Sequence, residues 1–174
     1  EFATVSQMVE FSTMISTTNQ SKNKSIFSRI KTVDQNYPLF GKVGYEPSGA
    51  FEKLQTIENT ILVNENIFKN LNLKINDKIK VQDQLFTVIG IVKSVPDIGG
   101  AFVFGDFALA GKQTLELLKL NNLGSFLNYE YKVKFNEGDN PNTLSKKIEQ
   151  LFKNEKKVRL RYHEKSDGPL KRII

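Results

Sequence analysis

The chain has 174 residues, 39% of them hydrophobic and 10% aromatic, which predicts one globular domain or two small ones. The absence of cysteine excludes a disulfide framework, a thiolate zinc site and a cysteine nucleophile. The formal net charge of +6 is compatible with a nucleic acid or an anionic membrane surface, but lysine is spread thinly and no nucleic-acid-binding motif is present, so nucleic acid is not expected as a partner.

The first quarter of the chain predicts a β-hairpin. VSQMVEFSTMIS fits either a helical face or an alternating strand, but the polar TTNQSKNKS follows it and leads into the β-branched SIFSRIKTV. We therefore predict paired strands over residues 5–16 and 25–34. The chain begins without methionine or a signal peptide, and we expect it to be a piece of a longer protein.

The middle of the chain contains the clearest elements. A long connection, broken by glycine and proline, precedes the short buried strand ILV. Asn64 is expected to cap a short helix, and Asn76 is expected to adopt a left-handed turn conformation. KIKV and LFTVIGIV then form a pair of strands around a turn at residues 83–84.

Residues 92–106, VKSVPDIGGAFVFGD, place a proline, an aspartate and a glycine pair between two apolar runs. Glycines beside an aspartate can hold a phosphate or a metal, but the lysine and Ser/Thr of a phosphate-binding loop are missing, and a calcium loop needs several closely spaced carboxylates. Pro96 fixes φ, Asp97 can bind the backbone that follows it, and the glycines permit positive φ. The stretch therefore predicts a structural turn, with ligand contact as the alternative.

The C-terminal third predicts strand, helix and strand. DFALAGKQTLELLKLN indicates a strand end and a helix, and NYEYKVKF alternates as a strand does. A helix over 142–154 should start at Asn142 or Thr143, and VRLRYHE predicts a last strand. We expect both strands to bury one face against the helix, in one sheet with the hairpin of residues 5–34. The expected apolar residues are Leu144, Ile148, Leu151 and Phe152 of the helix, and Tyr129, Tyr131, Val133 and Phe135 of the first strand or the opposite set.

Catalytic residues do not form a recognisable pattern. His163 is the only histidine, and its place in an alternating strand favours an exposed or edge position over a role as metal ligand or general base. GYEPSGAF does not match the nucleophile elbow of hydrolases. We therefore expect no enzyme activity, no metal and no cofactor. No apolar run approaches the ~18 residues that a membrane-spanning helix needs.

Three segments, in a fixed order, resemble a known family. IKTVDQNYPLFGKV is followed by TILVNENIFKNLNLKINDKIKV and then by FTVIGIVKSVPDIGGAFVFGDFALAGKQTLELLKL. This order is similar to that of the extracytoplasmic domain of ABC transporter permeases of the FtsX-like, MacB-like class and, within it, to permeases named for lysophospholipase biosynthesis. The resemblance covers about residues 5–174.

The resemblance implies an α+β fold, a MacB-like periplasmic core made of an α/β sandwich subdomain with a β-rich subdomain inserted into it. The α/β subdomain corresponds to residues 1–36 and 128–174, without its first strand and helix, and the insert corresponds to residues 37–127. The candidate structural or partner-contact residues of the matching motifs are Tyr37, Pro38, Pro96, Asp97, Gly99, Gly100, Phe102 and Phe104.

The resemblance also implies a location and partners. The domain would lie in the periplasm, between the first two membrane helices of a permease that works as a homodimer with a cytoplasmic ATPase. It would couple ATP hydrolysis to extrusion or signalling, and a periplasmic protein or a lipid-linked substrate would contact it. Two alternatives stay open. A ligand-binding module needs a closed apolar pocket near Phe102, Phe104 and Phe107, and a nucleic-acid-binding module needs its lysines on one face.

Overall fold

The computed structural model describes residues 3–18, 23–96, 105–120, 126–136, 138, 140–155 and 158–159. The chain forms two compact units, one of Glu1–Ala3 with Phe135–Ile174 and the other of Thr4–Lys134. The described part contains both strands and helices, so the α+β class is confirmed. The elements in chain order are β1 (Ala3–Thr17), β2 (Ser25–Val33), β3 (Gly44–Glu46), α1 (Ala50–Thr56), β4 (Thr60–Asn64), α2 (Glu65–Asn70), β5 (Lys78–Val81), β6 (Gln84–Ser94), β7 (Phe107–Gly111), α3 (Thr114–Leu117), β8 (Asn128–Phe135) and α4 (Pro141–Phe152).

Six strands close into a ring. Each strand hydrogen-bonds to the next in the order β1, β2, β7, β4, β6 and β5, and β5 pairs with β1 through Ile15–Thr17. The β1–β2 pair is the hairpin that the sequence predicted. β1 has 15 residues and also hydrogen-bonds to β8, which is not part of the ring. Because the ring is closed, the backbone groups of its strands find partners within the sheet.

The alternation of side chains along the strands creates an apolar core inside the ring. In β4, Ile61 and Val63 belong to this inner cluster, whereas Leu62 between them belongs to a second cluster outside. The short helices α2 and α3 add side chains to the inner cluster. Its members are Val9, Phe11, Ile15, Ile30, Ile61, Val63, Ile67, Leu71, Leu73, Ile79, Val81, Phe86, Val88, Ala108, Ala110, Leu115, Leu118 and Leu120.

Helix α1 covers part of the outer face of the ring and was not predicted from the sequence. It buries Ala50, Phe51 and Leu54, which pack with Leu62 and Leu109 in the outer cluster. Seven residues are too few for a helix to be stable in water by itself, so the apolar contact with the ring is what stabilises α1. The surrounding prolines and glycines had indicated an irregular connection.

β6 turns its side chains to the other face of the sheet halfway along its length. Its register with β4 shifts between Ile61, which pairs with Val88, and Leu62, which pairs with Gly90. This irregularity places Val88 in the inner cluster and Val92 in the outer one. A Cβ at Gly90 would lie 2.5 Å from the Glu46 carbonyl oxygen and 2.8 Å from Leu62 Cδ2. Glycine at this position therefore permits the close approach of β3 to the ring.

β8 covers the eight residues that were predicted, but the prediction that one of its faces is buried is wrong. None of its eight residues is buried, and Tyr129 and Tyr131 are 47% and 58% exposed. The reason is its position. β8 lies beside β1 outside the closed ring, and neither core cluster contains a β8 residue.

Helix α4 is confirmed, with its start one residue before the predicted bound. The Asn140 side chain caps it and accepts from the backbone N–H groups of Asn142 and Thr143, at 3.0 and 3.3 Å. Leu151 is 77% exposed. The predicted last strand, including His163, lies outside the described residues except for residues 158–159, which are in no strand.

The division of the chain into residues 1–36 with 128–174 and an insert of 37–127 stays a prediction. β2 belongs to the first of these parts and β7 to the second, and the two strands pair in parallel over five residues. One boundary between the compact units of the structure falls at Lys134 and Phe135.

We predict that Gly90→Ala lowers the free energy of unfolding by about 1–3 kcal/mol, because the new Cβ must displace the backbone of β3. Urea denaturation measures this change. Gly105→Ala is the matched control, since its Cβ would lie 3.1 Å from Arg29 Nη2, the movable end of a long side chain. Equal losses in the two variants would contradict the close packing at Gly90.

Candidate functional site at the connection between β6 and β7

The candidate residues that the structure describes lie near the end of β6. β3 pairs with β6 from Gly44, opposite Ser94, and thereby holds the preceding segment along β6. Gly41 has φ of +76°, and a Cβ there would lie 2.5 Å from Pro96 Cβ. Gly41, in the segment that follows Pro38, therefore lies against Pro96, two residues beyond the end of β6. Asp97, Gly99, Gly100, Phe102 and Phe104 lie outside the described residues, and their role stays a prediction.

Tyr37 is a core residue. It is 3% exposed and belongs to the outer cluster, where its ring centroid lies 6.3 Å from that of Phe51. Its backbone N–H donates to the Asp34 carbonyl, and its own carbonyl accepts from Gln55 Nε2, both at 3.2 Å. The peptide bond to Pro38 is cis. Of the two roles considered for Tyr37, these contacts favour the structural one.

Gly105 and Asp106, which precede β7, are held by polar contacts from β2, β4 and α2. Asn64 Nδ2 donates to the Gly105 carbonyl at 2.9 Å, and Asn66 Nδ2 donates to Asp106 Oδ1 at 2.9 Å. The Arg29 backbone N–H donates to the Asp106 carbonyl at 3.1 Å. The connection is therefore held by hydrogen bonds at Gly105–Asp106, and at its other end Pro96 lies against Gly41.

Asn64 makes two contacts, only one of which was predicted. Its Oδ1 accepts from the Ile67 backbone N–H at 3.1 Å and caps α2, as the sequence indicated. Its Nδ2 bond to Gly105 joins residues 41 positions apart, and no local pattern signals a contact of that kind. Asn66 and Arg29 were missed for the same reason.

Two charged contacts lie on β3 beside this site. Lys93 Nζ lies 2.8 Å from Glu46 Oε1, and the Tyr45 hydroxyl donates to Glu52 Oε1 at 2.8 Å. The hydrogen bond to the Glu52 carboxylate raises the pKa of Tyr45, and the bond to Glu46 raises the pKa of Lys93. The protonated forms of Tyr45 and Lys93 are thus favoured. In these forms, Tyr45 of β3 binds Glu52 of α1, and Glu46 of β3 binds Lys93 of β6.

The two alternative functions gain no support from the described residues. Phe107 is 9% exposed and belongs to the outer core, so it does not line an open apolar pocket. A cleft of about 350 Å³ lies elsewhere and has a mostly polar lining. Among the described residues, four lysines pair with nearby carboxylates, which offsets part of the positive charge. The cleft is lined by Val33, Asp34, Gln35, Asn36, Gln55, Lys112 and Gln113.

Metal binding and membrane insertion can be examined for the described ranges alone. Within them, no group of three or more His, Cys, Asp or Glu side chains could hold a metal ion. In the same part of the chain, no helix has the length and apolar character required to cross a membrane.

The comparisons with known proteins identify a family by its sequence model and a shared fold by solved structures. A model of the MacB-like periplasmic core domain matches residues 1–151. The crystal structure of the periplasmic region of MacB from Actinobacillus actinomycetemcomitans has a TM-score of 0.60 at 15% identity, covering 88% of this chain and 67% of that one. The extracellular domain of the noncanonic ABC-type transporter YknZ from Gram-positive bacteria has a TM-score of 0.54 at 9% identity, covering 83% and 72%. No curated protein sequence matches the chain. The two structures share the fold, and the family model carries the assignment.

We predict that Asn64→Ala destabilises the fold by about 2–3 kcal/mol, because it removes both the cap of α2 and the donor to Gly105. Asn66→Ala is the matched control. Asn66 is exposed and donates one bond to Asp106, so a loss below about 1 kcal/mol is expected. Urea unfolding of both variants tests this, and an Asn64 variant as stable as the control would contradict the double role.

We also predict that Glu52→Gln lowers the pKa of Tyr45 towards its ordinary value. The Glu52 carboxylate accepts a hydrogen bond from the neutral hydroxyl and repels the phenolate, and glutamine carries no charge. Since the folded-state pKa is raised, the Tyr45–Glu52 contact stabilises the fold below the ordinary tyrosine pKa and is lost as pH rises through the raised value. Ultraviolet difference titration against Tyr45→Phe isolates this group. Glu58→Gln serves as the control, and an unchanged Tyr45 titration in Glu52→Gln would refute the arrangement.

Proposed function

The chain belongs to the family of MacB-like periplasmic core domains, and from this premise we propose that it is the extracytoplasmic domain of an ABC transporter permease. The family match over residues 1–151 is the observation that carries the proposal. The domain would lie outside the inner membrane and would pass movement between the membrane helices and a partner or substrate.

The described fold suits the transmission of movement. A closed ring of six strands with apolar clusters inside and outside resists local distortion, because any deformation must separate buried side chains. In the proposed mechanism, ATP binding and hydrolysis by a cytoplasmic ATPase move the membrane helices of a permease dimer, and the ring of six strands moves with them without changing its own shape. It has no catalytic activity and binds no cofactor of its own.

The connection between β6 and β7 is the candidate contact for a periplasmic partner protein or a lipid-linked substrate. Gly105 and Asp106 are hydrogen-bonded to Asn64 and Asn66 at the end of β4 and the start of α2, so a partner bound next to them would be held to a rigid support. Tyr37 is a buried core residue, so its proposed role is to support the fold and not to contact a partner. Within the family, we propose that the protein belongs with the permeases named for lysophospholipase biosynthesis, and the order of its sequence motifs supports this.

Cysteine accessibility in intact cells tests the proposed location. The 174 residues contain no cysteine, so single cysteines can be introduced without background from this chain. In the full-length gene product, Glu58→Cys, exposed on the turn after α1, should react with a membrane-impermeant maleimide before the cells are lysed. The solubilised permease should also co-purify with an ATPase subunit.

The matched control is Val63→Cys, at a fully buried position of β4, which should react only after denaturation. The parent protein without an added cysteine reports any labelling of the flanking regions. Labelling of Glu58→Cys only after lysis would place the domain in the cytoplasm and overturn the proposal.

A further inference from the structure

β8 is attached to the ring differently from the strands that form it. All five residues of β4 and all five of β7 are buried, whereas none of the eight residues of β8 is. Removing β4 or β7 from the ring would expose both apolar clusters to water. Separating β8 from β1 would expose little apolar surface, because the clusters contain no β8 residue.

Two polar side-chain contacts tie β8 to the hairpin. Gln7 Nε2 of β1 donates to the Tyr131 hydroxyl at 2.8 Å. Lys31 Nζ of β2 lies 3.9 Å from Glu130 Oε2, with the lysine side chain 8% exposed and the glutamate 47% exposed. Because successive residues of a strand point to opposite faces, Glu130 and Tyr131 make contacts on the two sides of the sheet. β8 is therefore held from both faces, on one by the exposed Gln7–Tyr131 bond and on the other by the half-exposed Glu130 beside the buried Lys31.

We propose that β8 separates from β1 as a local opening that leaves the ring of six strands folded, and that the Gln7–Tyr131 and Lys31–Glu130 contacts set how often it opens. The free energy of a local opening rises with the buried apolar contact that the opening breaks. β8 has less of this contact than β4 or β7. This inference is independent of the proposed transport function.

Hydrogen exchange of the 174-residue chain, followed by mass spectrometry over a series of low urea concentrations, tests the proposal. Peptides from β8 should exchange through an opening that is nearly insensitive to urea, whereas peptides from β4 and β7 should exchange through global unfolding. Tyr131→Phe removes the hydroxyl that accepts from Gln7, and it should speed β8 exchange about two- to fivefold without changing β4.

Tyr129→Phe is the matched control, because it removes a hydroxyl from the same strand and should leave β8 exchange unchanged. Glu130→Gln is a second variant, which should speed β8 exchange about twofold because it weakens the ion pair with Lys31. Added salt should speed β8 exchange of the parent protein to a similar extent. Exchange of β8 and β4 with the same urea dependence would overturn the proposal. So would equal effects of Tyr131→Phe and Tyr129→Phe.

Discussion

The pairing of β5 with the end of β1 is the contact on which the rest of the structure depends. It involves three residue pairs, Ile15 with Val81, Ser16 with Lys80 and Thr17 with Ile79, and the apolar members are fully buried. Without it, the strands would form an open sheet, and the inner cluster would be a face exposed to water. With it, the same side chains are enclosed, and apolar burial rather than backbone pairing alone holds the unit together.

Closure of the ring also positions the candidate site. β4 lies between β6, to which it is parallel, and β7, to which it is antiparallel. The end of β4, the end of β6 and the start of β7 therefore meet on one side of the ring. This is why Asn64, at the end of β4, reaches Gly105, just before β7 begins.

The contrast between the ring and β8 gives the domain two kinds of structure. The ring has buried apolar residues on both faces, and the cost of opening it is shared by the whole unit. β8 depends on backbone pairing and on two polar contacts, the exposed Gln7–Tyr131 bond and the pair of the buried Lys31 with the half-exposed Glu130. In a domain proposed to transmit movement, a rigid body and a separable connecting strand would have complementary roles.

The sequence by itself determined the elements that local physics controls. Alternation identified the β1–β2 hairpin and β8, the Asn64 cap identified α2, the helical spacing of apolar residues identified α4, and asparagine at position 76 identified a turn with φ of +74°. The cap of α4 is Asn140 rather than the expected Asn142 or Thr143. The order of motifs also indicated the family. Only the tertiary structure decided the closure of the ring, the formation of α1, the second bond of Asn64 and the exposure of β8. Each of these depends on residues that are far apart in the chain, and the free energy of such contacts comes from burial and geometry that no local pattern records.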